Sequence, residues 1–232
     1  VPVHESGPGD TAVVAERLRA ELDAAGDRET VVLAWMGDTT AFGTGLGALS
    51  AAAERDADVL FVCADHEARL ATEIRAGTAT PWGTWRDAPG RAPWLHPARD
   101  LVGILAAHRV PYAATATVAH PVDLIEKVQK ARTVRGTRFL HVLAPCPPLW
   151  GCASAETVAL ARAAVRNRLF PLFEVEDGRR WRVTAEHPGE PVEAYLTRQE
   201  RLRGLSAAQV RLVQGEADAR WETLQRRVHH GV

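Results

Sequence analysis

Cysteine is scarce in this chain. Only Cys63, Cys146 and Cys152 occur among 232 residues, too few for a disulfide framework, which points to a reducing compartment, the cytoplasm. Methionine is scarcer still, with Met36 alone. Neither sign of charge dominates: 28 Lys+Arg stand against 29 Asp+Glu, a net charge of −1, so nothing draws the whole molecule to nucleic acid or to an anionic membrane. No apolar run approaches the roughly 20 residues of a membrane-spanning helix, and the first residues do not read as a signal peptide. The sequence also lacks a G-x-S-x-G nucleophile elbow, a P-loop, an H-E-x-x-H helix, internal repeats and low-complexity tracts.

What is present is an alternation of β-rich and helical patterns. Residues 30–36, 58–63, 112–118 and 138–144 read as strands, three of them nearly continuous in apolar residues, as strands covered on both faces are. Helices are expected at 11–24, 42–55, 98–109 and 121–134, with Phe42, Leu46, Leu49 and Ala53 sharing one apolar face of the second. This is the pattern of βαβ units and a parallel sheet, an α/β fold. Beyond Cys152 the character changes. Residues 154–166 read as a helix, 172–183 as a hairpin turning at Asp177-Gly178, and 206–228 as a long helix opened by a Ser206…Gln209 capping box. Its apolar stripe, Val210, Val213, Ala217, Trp221, Leu224 and Val228, suits docking on its own subunit. The domain division expected is 1–168 for the α/β domain and 169–232 for a hairpin and helical extension. Residues 78–97, with four prolines and three tryptophans, have no periodicity and read as a functional or interface loop, or a Trp-anchored surface loop.

The most informative local feature is Gly37-Asp38-Thr39-Thr40, directly after a strand and before a helix start rich in glycine. Ligands of open α/β sheets bind at the carboxyl ends of the strands, where small residues let backbone N–H groups approach a phosphate. The next strand ends in Asp65-His66-Glu67-Ala68, one strand–helix–strand unit further on. Asp38 and the 65–68 turn should therefore lie side by side, able to hold a divalent cation against a diphosphate. Helix capping by Asp38 and Asp65 is the alternative from spacing alone. Cys63 reads as a core thiol. His108, His120 and His141 sit in ordinary helix or strand contexts, His229 and His230 on a solvated tail, and Arg179, Arg180 and Arg182 on a solvated face.

Residues 37–68 (GDTTAFGTGLGALSAAAERDADVLFVCADHEA), 77–85 (GTATPWGTW), 111–131, 139–151 (FLHVLAPCPPLWG), 171–178 and 191–196 together resemble the β subunit, or corresponding domain, of pyruvate:ferredoxin and related 2-oxoacid:ferredoxin oxidoreductases. The resemblance implies a three-layer, parallel-sheet thiamine-diphosphate-binding fold. It implies a β-type subunit that holds the diphosphate and Mg²⁺ or another divalent metal, while an α/γ-type partner subunit carries the pyrimidine-binding domain. The complex it implies decarboxylates a small 2-oxo acid oxidatively, passes electrons through iron–sulfur clusters to ferredoxin, and makes no use of nucleic acid or membrane.

Carried over by position, the resemblance assigns Gly37, Asp38, Thr39, Thr40 and Thr72 to the cofactor, and Asp38, His66 and the Ala68 carbonyl to the metal. No side chain is singled out as catalytic. Several positions depart from the family. Thr39 replaces a glycine, tolerating positive φ poorly; His66 replaces Asn or Thr, and imidazole suits transition metals better than Mg²⁺; Ala71 and Glu73 replace Asn and Gly. Cys146 matches one ligand of the family's [4Fe–4S] cluster, and the other three belong to a preceding segment that this sequence does not show, so this chain alone does not furnish a cubane. An intact scaffold with an altered pocket also suits a structural or regulatory paralogue, or non-oxidative carbon–carbon chemistry.

Overall fold

The computed structural model describes residues 10–70, 74–76 and 99–230. The irregular 78–97 segment and Thr72, Ala71 and Glu73 of the pocket assignment lie outside these described residues. Four strands are parallel: β1 (Val32–Gly37), β2 (Val59–Asp65), β5 (Tyr112–Thr117) and β6 (Arg138–Leu143). A short antiparallel hairpin, β3 (Ala68–Leu70) and β4 (Ile74–Ala76), follows β2. The main sheet has six strands in the order β1-β2-β6-β5-β7-β8, with β7 (Leu172–Glu176) and β8 (Arg180–Ala185) running antiparallel at one edge.

Helices cover both faces, giving the three layers expected. One face packs Val32, Ala34, Met36, Phe61, Cys63 and Phe139 against α1 (Thr11–Ala24), α2 (Leu46–Glu54) and α3 (Leu101–Ala107). The other packs Leu60, Val62, Ala114, Leu140 and Val142 under α4 (Pro121–Thr133). The apolar continuity of β2, β5 and β6 has its cause here, since every residue of the three is buried. Edge strand β1 instead alternates, with Leu33 and Trp35 exposed.

A third apolar cluster is built by α5 (Pro147–Trp150), α6 (Thr157–Arg166), α7 (Glu193–Leu196) and the first half of α8 (Ala207–His230). The stripe on α8 does dock on its own chain: Val213 and Ala217 enter this third cluster, and Leu224 enters the first. Its capping box is formed as read, the backbone N–H of Gln209 donating to Ser206 Oγ at 3.3 Å and that of Ser206 to Gln209 Oε1 at 2.9 Å. The β7–β8 turn places Asp177 at φ 51° and Gly178 at φ 65°. Glycine is required at 178 twice over, because a Cβ there would also meet the Ala106 carbonyl oxygen.

Two expectations change in detail. The helix expected at 42–55 begins as a π-helical turn, Thr40–Thr44, broken at Gly43 (φ −110°, ψ −113°), and only then becomes α2. The 98–109 helix is shorter, starting at Leu101 because Asp100 caps it through the backbone N–H of Gly103.

Candidate functional site at the carboxyl edge of β1 and β2

The parallel pairing of β1 with β2 sets Gly37 beside Ala64, so the residues that follow, Asp38 and Asp65, emerge together at the carboxyl edge of the sheet. The juxtaposition read from the spacing is therefore real. Neither acid caps a helix. Asp65 Oδ1 accepts the backbone N–H of Glu67 at 2.7 Å, while the residue at the start of the π-helical turn is Thr39, with no side-chain cap.

The acids in this corner have different fates. Asp65 Oδ2 lies 2.7 Å from His141 Nε2, a buried pair walled by the rings of Phe42, Phe139 and Phe170. Glu67 is held by Arg201 and by the Tyr195 hydroxyl, each 2.7 Å from Glu67 Oε2. Asp38 is 2% exposed, and its Oδ2 is buried with no hydrogen-bond partner among the described residues. Burial and then the charge of Asp65 push the Asp38 carboxyl up to about 8, against the lowering effect of hydrogen bonds from the backbone N–H groups of Thr39 and Asp38. Burial also raises Glu67, with Arg201 opposing. An orphaned carboxylate oxygen in a dry pocket is costly unless a cation meets it, so Asp38 has the chemistry of a ligand to a hard divalent ion.

His66 is fixed by two contacts of its own. Its Nδ1 lies 2.7 Å from the Ala144 carbonyl oxygen. A carbonyl can only accept, so Nδ1 is the donor in this contact, and the bond fixes the orientation of the ring. The His66 carbonyl accepts the indole N–H of Trp150 at 2.7 Å. Ala68 opens β3, placing its main-chain carbonyl next along the same turn. Among the described residues no three His, Cys, Asp or Glu side chains converge as a metal site.

The backbone around Gly37 is open, since a Cβ built there or at Gly43 meets nothing within 4 Å. Thr39 is exposed and sits at φ −58°, ψ −38°. Its conformation is ordinary for an L-residue, so the expected strain from a missing glycine does not arise. Thr40 begins the π-helical turn and is partly buried.

Two other expectations fall elsewhere. Cys63 is a core thiol, fully buried and with its pKa raised well above the ordinary value by that burial. Cys146 precedes the two prolines of α5 and is half-buried against the third apolar cluster, with Cys152 on the same cluster. His141 was read as an ordinary strand histidine; its role opposite Asp65 follows from the β2–β6 register, which pairs Cys63 with His141. Tyr195 and Arg201 were missed altogether, because nothing local marks them.

A buried carboxylate and an imidazole thus lie at the carboxyl edge of adjacent parallel strands, the edge at which open α/β sheets bind their ligands. Residues 12–142 match the family described as "Thiamine pyrophosphate enzyme, C-terminal TPP binding domain". The chain is 34% identical over 228 residues to the ketoisovalerate oxidoreductase subunit VorB of Pyrococcus abyssi, covering 93% of this chain and 73% of that protein. It is 37% identical over 215 residues to the pyruvate synthase subunit PorB of Methanothermobacter marburgensis, covering 90% of this chain and 74% of that one. Among solved structures, the 2-oxoglutarate:ferredoxin oxidoreductase of Magnetococcus marinus shares the fold, with a TM-score of 0.50 and 18% identity over 60% of this chain and 46% of that one. The chain belongs to the thiamine-diphosphate-binding β subunits of the 2-oxoacid:ferredoxin oxidoreductases.

Proposed function

We propose that this chain binds the diphosphate and a divalent cation of thiamine diphosphate at the carboxyl edge of β1 and β2, as one subunit of a complex that oxidatively decarboxylates a 2-oxo acid. The observation that carries the reading is the Asp38 carboxylate, buried and with one oxygen unpartnered. Asp38, His66 Nε2 and the Ala68 carbonyl are the cation ligands from this chain. Gly37, Thr39 and Thr40 face the diphosphate, where the open backbone at Gly37 lets phosphate oxygens come close; Thr72 completes the assignment. When bound, the cofactor would supply a carbon nucleophile and an electron sink for decarboxylation of the 2-oxo acid.

The protein residues hold and orient. Asp38 gives the cation a full negative charge in a low-dielectric corner, where it binds more strongly than in water. Asp65 and Glu67 already have side-chain partners, His141 for the first and Arg201 and Tyr195 for the second, which leaves Asp38 as the carboxylate open to the ion. Mg²⁺ is the expected ion of the family, yet the nitrogen of His66 favours Mn²⁺, Co²⁺ or Zn²⁺. The pyrimidine side of the cofactor, and the substrate contacts, come from an α/γ-type partner subunit, with ferredoxin as electron acceptor. Cys146 supplies at most one of four thiolates for a [4Fe–4S] cluster, so such a cluster would draw its remaining ligands from elsewhere. A cytoplasmic setting is proposed on the cysteine usage; among the described residues no helix is long and apolar enough to cross a membrane.

Titration calorimetry of thiamine diphosphate with Mg²⁺ or Mn²⁺ tests this reading. Asp38→Ala should weaken metal-dependent cofactor binding by about 100-fold or more. Equal affinity in wild type and variant would refute the site.

A further inference from the structure

The turn that carries His66 and Ala68 is held from a distant part of the chain. Arg201, 134 residues from Glu67, donates Nη1 to the Glu67 carbonyl oxygen at 2.9 Å and Nη2 to Glu67 Oε2 at 2.7 Å. Its guanidinium lies 4.4 Å from the centre of the Trp150 ring, and the Trp150 indole N–H binds the His66 carbonyl. Gln199 fixes Arg201 from behind, with Oε1 at 2.6 Å from Nη2 and 2.8 Å from Nε, and its own amide bonds the Tyr195 carbonyl. The side chains of Arg201 and Glu67 are only 2% and 5% exposed.

Such an assembly is costly. It buries a formal ion pair, and Glu67 sits at φ 50°, a left-handed conformation that a glutamate adopts only when its surroundings impose it. A hydrophobic core needs neither feature, and apolar residues of similar volume often stabilise as well as a buried ion pair. What the pair does is geometric. Gripping both the carbonyl and the carboxylate of Glu67 fixes the peptide that leads into Ala68, while Trp150 and the Ala144 carbonyl fix His66 on either side.

We propose that Arg201 is a positioning residue of the cofactor site: by clamping Glu67 and stacking on Trp150, it presents His66 Nε2 and the Ala68 carbonyl to the cation. This rests on the proposed function above and goes beyond it, since Trp150, Tyr195, Gln199 and Arg201 all lie outside the matched residues 12–142. The clamp belongs to the segment that otherwise reads as a structural extension.

The test uses the full chain in its native complex, with Mn²⁺ plus thiamine diphosphate followed by electron paramagnetic resonance and thermal unfolding measured in parallel. Arg201→Lys keeps the charge but loses the paired geometry, and should weaken Mn²⁺ binding about tenfold. Arg201→Met strands the Glu67 charge and should lose both stability and Mn²⁺ affinity. The double variant Glu67→Gln/Arg201→Met removes both charges. It should recover most of the lost melting temperature while Mn²⁺ affinity stays at least tenfold weak. Recovery of affinity together with stability in the double variant, or unchanged affinity in Arg201→Lys, would overturn the positioning role. Asp38→Ala separates the two readings: Mn²⁺ binding insensitive to Asp38 defeats the proposed site itself, whereas binding that needs Asp38 but ignores Arg201 defeats only this inference.

Discussion

At the end of the sheet where β2 and β6 begin, charge is matched. Asp58 is bonded by the guanidinium of Arg138, itself 2% exposed, and by Arg135 at 3.1 Å. Thr137 Oγ1 donates to the Ala52 and Ala57 carbonyls, and its N–H to Asp56. Burial raises the Asp58 carboxyl, but Arg138 and Arg135 outweigh it and hold the group below the usual carboxylate range. At the opposite end β2 finishes beside Asp38, whose pKa rises to about 8 and whose Oδ2 has no partner among the described residues. Asp65 and Glu67, neighbours at that edge through the β1–β2 pairing, do have partners. Among the described residues, the partners in this corner thus go to Asp65 and Glu67 and leave one oxygen of Asp38 without any. Stability is placed at the amino edge, and a binding demand at the carboxyl edge.

The contrast can be broken by variants at either end. The largest stability effect belongs to Asp58→Ala, which leaves Arg138 buried without its acid. A loss of about 2 kcal/mol is expected by urea unfolding, with cofactor affinity unchanged. The part of this stability due to ionisation has a defined sign. Because the folded pKa of Asp58 is depressed, its contribution is present above the unfolded value near pH ~4 and fades as pH falls through the folded value. The stability gap between wild type and Asp58→Asn should accordingly shrink in acid.

Asp38→Asn should act in the opposite direction. A carboxyl raised to about 8 in the fold penalises the folded state progressively as pH climbs from about 4 through 8. In cation-free buffer at alkaline pH the variant should be more stable by about 1 kcal/mol, and cofactor binding should be lost, a stability–function trade. A variant less stable than wild type would show that Asp38 is a structural group. The smallest change is expected from His66→Asn, which substitutes an oxygen for a nitrogen donor. Preference should move about tenfold from Zn²⁺ or Co²⁺ towards Mg²⁺ in competitive titration, at nearly constant melting temperature.

Much of this fold was legible because local patterns report burial directly. Continuous apolar runs marked β2 and β6, the alternation of β-rich and helical patterns pointed to a parallel sheet, and Gly178 and Ser206 announced their turn and cap. The pairing of the Asp38 and His66 loops followed from one βαβ spacing. The π-helical turn did not, because Gly43 breaks a helix whose apolar face continues unbroken in sequence. The fates of the three acids were also hidden. Which of Asp38, Asp65 and Glu67 is neutralised depends on His141 and Arg201, brought in by strand register and by packing across the whole chain, and no periodicity encodes that. The positive φ of Glu67 is likewise imposed by tertiary contacts rather than by residue type.

The 134-residue separation between Glu67 and Arg201 has a consequence in time. During synthesis at ~5–20 residues per second, the two sheet-edge loops leave the ribosome roughly ten seconds before the segment that clamps one of them. Over that interval the Glu67 turn lacks the contacts that hold it, so its left-handed backbone is set only after Arg201 has been made.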